Sequence, residues 1–167
     1  RSGEATVLLR IGACATLRYG GRAAALLLKM QEEGMTYTRA AADAIFACNS
    51  SNMPDVALDI FEAIRFADGG GLAGGDARSA LFLYNGALDA FRRNNDAPSA
   101  VEMLVTMAEE HGVTPDVASY CTALAACRSA DRLDLIKHVL SSIARRAATD
   151  AADATGATAS GTTGWLA

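Results

Sequence analysis

Proline, tryptophan and histidine are scarce in this chain, at three, one and two residues of 167, and each shortage closes off a class of structure or chemistry. Few prolines and 6% aromatics, beside abundant alanine and leucine, predict a helical chain. The two histidines, His111 and His138, stand apart with no nucleophile or carboxylate constellation nearby. No enzyme, no cofactor and no small-molecule substrate are therefore expected. No apolar run approaches the ~20 residues that cross a bilayer. Leu26-Leu27-Leu28 is short and flanked by Arg22 and Lys29, so membrane insertion is not expected. The four cysteines make no CxxC pair and no zinc spacing, since Cys121 precedes Cys127 by six residues. No metal is expected, and a reducing compartment follows. The glycine-rich stretch Gly69-Gly70-Gly71-Leu72-Ala73-Gly74-Gly75 is followed by no GK[ST] and preceded by no strand, so it reads as a loop and not as a phosphate cradle. Positive charge is also short: 15 Lys and Arg against 19 Asp and Glu give a net charge of −4 and a pI near 5.1. Strong nucleic-acid binders usually carry the opposite balance. The chain opens on Arg1 without methionine, which points to a processed product or a fragment.

What the chain does have is a recurring landmark. Ala13-Cys14, Ala47-Cys48, Ala90-Phe91 and Ala126-Cys127 follow one another at steps of 34, 43 and 36 residues, and the glycine-rich stretch lies in the longest step. Nine residues beyond each landmark a second amphipathic run is entered, at Ala23, Ala57, Ala100 and Ile136. A period of that length with two helical patterns per unit marks a helical solenoid. A place shared by Cys and Phe is a packing position, where free Cys acts as a small hydrophobe.

Helical stripes appear at i, i+3, i+4, i+7 in Ala23-Leu26-Leu27-Met30, in Ala41-Ala44-Ile45-Cys48 and in Ala57-Ile60-Phe61-Ile64 (beside Val56), and Ala100-Val101-Leu104-Met107 also fall on one helical stripe. Gly34 is placed as a helix C-cap, Pro54-Asp55 as a helix start, Asp96 as an N-cap, and Asp131 with Asp134 as a capping-box-like start. The expected organisation is a repeat domain over 5–146, with repeats at 5–38, 39–80, 81–116 and 117–146. A low-complexity C-terminal tail over 147–167, rich in Ala, Thr, Gly, Ser and Asp, is expected to be irregular. Trp165 within it reads either as an anchor for a partner or as a residue folded back on the last repeat.

The stretch Glu109-Glu110-His111-Gly112-Val113-Thr114-Pro115-Asp116-Val117-Ala118-Ser119-Tyr120 resembles the junction between two pentatricopeptide repeats, G-[IV]-x-P-D-x-x-[ST]-Y. Ser119 to Cys127 and Leu83-Tyr84-Asn85-Gly86-Ala87-Leu88 are similar to that family's first helix. Ala57 to Phe61, Ala100 to Met107 and Ala25 to Met30 are similar to its second. The resemblance covers residues 6 to about 146 and is best in the third and fourth units. It implies an all-α, right-handed α-solenoid of about four helix-turn-helix repeats, an organellar location (chloroplast or mitochondrion), and binding of single-stranded RNA one base per repeat. Asn85 and Asp116 then take the base-reading positions, a pairing the family uses for uracil. Arg92, Arg93 and Arg128 are placed to contact phosphates. Asp116 also suits an N-cap, and arginine near a helix C-terminus also suits the helix dipole. The remaining units carry Cys121, Ala42 with Ala80, and Leu8 with Tyr37 in those places, none a recognised pair. Acidity and the single intact pair keep a second expectation open. In it the repeats and tail serve as a structural scaffold in a ribonucleoprotein or protein assembly, such as an organellar ribosome or membrane supercomplex.

Overall fold

The computed structural model describes residues 2–32, 38–65, 77–109 and 112–159. Among the described residues all regular structure is helical: α1 (Ser2–Thr16), α2 (Gly20–Glu32), α3 (Thr38–Ser50), α4 (Pro54–Arg65), α5 (Ala77–Arg93), α6 (Ala97–Glu109), α7 (Val117–Ser129) and α8 (Leu133–Ala159). The predicted stripes are the faces that bury. Ala41, Ala44, Ile45 and Cys48 are wholly inaccessible, and Ala57, Phe61, Ile64, Ala100, Leu104 and Met107 are buried on their helices. The landmark is a packing position in three units, with Cys14, Cys48 and Cys127 buried as free thiols, while Phe91 is half-buried. Burial alone pushes the Cys48 thiol up to about 11.

The four helix pairs are closed by one turn, repeated at one register. Each landmark carbonyl, on Cys14, Cys48, Phe91 and Cys127, accepts the backbone N–H five residues on, in every case at 2.9 Å. The residue before that donor is left-handed: Arg18 at φ 58°, Asn52 at 59°, Asn95 at 59° and Asp131 at 54°. This six-to-one bond with a left-handed residue is the Schellman ending of a helix. Three of the four are Asn or Asp, the non-glycine residues that tolerate this conformation best. Asp131 therefore ends α7 and does not begin α8, which corrects the capping-box expectation. Asp134 instead holds Arg132 at 2.7 Å on the surface. Asp96 does cap α6, accepting the Ser99 N–H at 3.2 Å, and Pro54 opens α4.

First and second helices pack differently. Each first helix touches the next: α1 on α3, α3 on α5 and α5 on α7. Each second helix packs on its own partner and on the first helix that follows, α2 on α3, α4 on α5 and α6 on α7. Thus α3 is enclosed by α1, α2, α4 and α5, which is why its buried face is built of alanine. Small side chains let four neighbours approach at once. The closest approaches use glycine. A Cβ on Gly86 of α5 would lie 2.5 Å from Ile45 Cγ2 of α3, and one on Gly20 would lie 2.8 Å from the Cys48 Cα. Between α4 and α5, Phe61 and Tyr84 meet edge to face, centroids 5.3 Å apart. Burying each such ring contributes about 1.5–3 kcal/mol.

A second expectation fails. The tail was expected to be irregular from residue 147, but α8 runs on to Ala159. Alanine has the strongest helix propensity, and extending a helix already nucleated by Leu133 to Ile143 costs little. Gly34, the glycine-rich stretch and Trp165 lie outside the described residues.

Candidate nucleic-acid interface

Asn85 and Asp116 are 31 positions apart, and the fold brings them together. On α5 the stripe of Leu83, Tyr84, Ala87 and Leu88 turns inward, leaving Asn85 half-exposed beside the start of α7. Asp116 is the α7 N-cap, with extended backbone (φ −98°, ψ −179°), in a reciprocal capping box with Ser119. Its Oδ1 accepts the Ser119 N–H at 2.8 Å, and the Asn85 Nδ2 donates to the same oxygen at 3.3 Å. The Ser119 hydroxyl reaches Asn85 Oδ1 at 2.6 Å and Asp116 Oδ1 at 2.9 Å. A carboxylate only accepts, so the Asn85 amide must turn its nitrogen to Asp116 and its oxygen to Ser119. The single hydroxyl proton is shared between these two acceptors. Asn85 is left oriented, with one N–H and one lone pair still to offer. Partial burial pushes the Asp116 carboxyl up, but the Ser119 N–H and hydroxyl, the Asn85 amide and the Ala118 N–H outweigh it and hold it below the usual carboxylate range.

The arginines are arranged less simply. Asp89 holds two of them: its Oδ1 takes Arg92 Nη2 at 2.6 Å and Nε at 3.0 Å, and its Oδ2 takes Arg93 Nε at 2.8 Å. Both guanidinium groups lie back along α5, about one-third exposed, and the trio carries one net positive charge instead of two. Arg128 is exposed at the last turn of α7. Asn49 occupies the matching place on α3, buried, where its Nδ2 donates to the Gly86 carbonyl at 2.9 Å.

The sequence did not single out the depression between α3 and α5. It is a groove of about 500 Å³ whose walls include Phe46 and Asn49 from one helix and Phe82, Asn85 and Asp89 from the other. Phe46 is 62% exposed and Phe82 49%, and the Arg78 guanidinium stands 5.8 Å over the Phe82 ring. The Asn49 Oδ1 is buried with no hydrogen-bond partner among the described residues. Neither Arg92, Arg93 nor Arg128 lines this groove. The readable signal was there: Phe46 and Phe82 are large apolar residues that fall off the buried stripes of their own helices. The groove thus joins two exposed aromatic side chains, one of them with Arg78 over its ring, to an oriented amide, a surface suited to a planar ring with polar edges. Among the described residues no His, Cys, Asp and Glu group is placed to hold a metal, and no helix is long and apolar enough to cross a membrane. No family model matches the chain, and neither curated proteins nor solved structures give a significant match.

Proposed function

We propose that this chain is a pentatricopeptide-like, right-handed helical solenoid that binds single-stranded RNA in an organelle, with the α3–α5 groove as its base-binding site. One observation carries this reading: Phe82, three residues before Asn85 on the same helix, opens into the same groove as the oriented amide. A base stacked on Phe82 or Phe46 meets Asn85 at its edge, and the family's pairing of Asn with Asp selects uracil. Aromatic stacking contributes about 1–3 kcal/mol per base. Phosphate contacts add little here, because Asp89 competes for Arg92 and Arg93 where they stand. Binding is therefore weak and shallow in its salt dependence, driven by stacking more than by counterion release.

A titration of fluorescein-labelled oligouridylate, read by anisotropy, tests this. Saturable binding is expected, weakened roughly 5- to 150-fold by Phe82→Ala and less by Arg92→Ala. Absence of binding at low salt, or indifference to Phe82→Ala, would sink the reading. A second reading is favoured by the Asp89 clasp together with the net charge of −4: a scaffold that contacts protein within a large organellar assembly. On that reading the free chain binds no RNA and co-purifies with the assembly.

A further inference from the structure

Two clefts between successive second helices differ in size and in charge. The one between α4 and α6 holds about 260 Å³, and its charged side chains are Glu62, Arg65 and Glu102. The one between α6 and α8 holds about 540 Å³, and its charged side chains are Arg145, Arg146 and Glu109, with His138 beside them. A chain with a net charge of −4 thus turns a surplus of cations into this second cleft. Its two walls follow opposite patterns. On α6, Val101, Leu104, Val105 and Ala108 recur at i, i+3, i+4, i+7 and make an apolar wall. Val101 and Leu104 are its closed base, 7% and 6% exposed, and Val105 is its open lip at 39%. On α8, His138, Ser142, Arg145 and Thr149 recur at i, i+4, i+7, i+11 and make a polar stripe, with Arg146 alongside. Pro115 and Tyr120, around the start of α7, complete the lining. The Arg145 Nη2 donates to Ser142 Oγ at 3.3 Å, and no ion pair among the described residues holds either arginine. Arg92 and Arg93 differ in this, because Asp89 already takes up part of their charge.

We propose that the α6–α8 cleft binds a small amphipathic carboxylate, its aliphatic chain along the α6 wall and its carboxylate at Arg145 and Arg146. Each feature selects part of that chemistry. The apolar wall takes an aliphatic chain out of water. A guanidinium fork donates two parallel N–H bonds to a carboxylate, so free arginines on one edge favour that head group. Glu109 lines the same cleft and disfavours a ligand of higher negative charge, which selects a carboxylate over a phosphate. From Val101 to Ala108 the wall rises about 10 Å at about 1.5 Å per residue. An extended zigzag chain of roughly eight to ten carbons, with bonds of about 1.5 Å, matches that length. The volume also lies within the roughly 300–1,000 Å³ of small-molecule sites. The cleft shares no lining residue with the α3–α5 groove, so it stands whether or not that groove takes RNA.

The probe is decanoate, titrated into the full chain by calorimetry below its micelle concentration. Saturable binding is expected, weakened about three- to tenfold when Arg145→Gln and Arg146→Gln are combined. Val105→Asp, which sets a negative charge on the apolar lip, weakens it too. Leu28→Asp, which alters an exposed leucine on α2 (60% exposed), leaves it unchanged. Circular dichroism of each variant confirms that the helices persist. On the unaltered chain, decanol and acetate, which lack the charge and the chain in turn, bind more weakly than decanoate. Absence of saturable binding overturns the proposal. So does decanol binding as well as decanoate, since the site is then an apolar patch without a head-group contact. Displacement of decanoate by oligouridylate also overturns it, since the arginines then serve a polyanion.

Discussion

Gly86→Ala puts the tight seam between α3 and α5 to a quantitative test. In an exposed helix interior this change is favourable by about 0.8–1 kcal/mol, through propensity alone. At position 86 the new methyl would sit 2.5 Å from Ile45 Cγ2, well inside contact distance. Ile45 cannot swing aside easily: it is 0% exposed, and a β-branched side chain in a helix has one strongly preferred rotamer. Overpacking a filled core costs roughly 1–3 kcal/mol. Any retreat of α5 also stretches the bond from Asn49 Nδ2 to the Gly86 carbonyl, worth about 1 kcal/mol. The net expectation is a loss of about 1–2 kcal/mol, or a fall of roughly 2–8 °C in the melting midpoint for a chain of this size. Gly12→Ala is the matched control. It lies mid-helix in α1 with nothing within 4 Å of its Cβ, so it should gain up to about 1 kcal/mol. Urea unfolding followed by helicity measures both. If Gly86→Ala stabilises the chain as Gly12→Ala does, the close packing that shapes the groove is not there.

Two further outcomes are expected. Under native conditions an alkylating reagent modifies Cys121 first, because it is exposed, while Cys48 and Cys127 are buried, with thiol pKa values raised chiefly by burial; mass spectrometry of the digested protein locates the label, and early labelling of Cys48 refutes its burial. Asp116→Ala removes the α7 cap and costs about 1 kcal/mol near neutral pH. Because the folded-state carboxyl titrates below its ordinary value, its electrostatic share is fully present above that ordinary range and is lost as pH falls through the lowered one. The difference in melting midpoint between the two proteins therefore narrows in acid, and a difference that widens there contradicts the hydrogen-bond network around Asp116.

The helices were legible in the sequence because burial on a helix has a period, and Ala41-Ala44-Ile45-Cys48 or Ala100-Val101-Leu104-Met107 state it plainly. The juxtaposition of Asn85 with Asp116 was legible only through resemblance, since no local pattern links residues 31 apart. Ser119, which locks that pair, was seen as a motif letter and not as a hydrogen-bond donor. Asp131 was misplaced because Asp suits both an N-cap and a left-handed helix end, and the choice depends on where the Cys127 carbonyl finds its donor. The Asp89 clasp on Arg92 and Arg93 follows from i, i+3 and i, i+4 spacing and was readable in principle. Beyond residue 147 the low complexity hides the helix, because its alanines carry helix propensity without an apolar stripe.

The most direct test of the account is a two-dimensional amide NMR titration of the chain with an oligouridylate. The account predicts shift changes concentrated on α3 and α5, at residues such as Phe46, Phe82, Asn85 and Gly86, reduced by Phe82→Ala. Shifts confined to the arginine-bearing surface of α8 around Arg145 and Arg146, or no shifts at all, would contradict it.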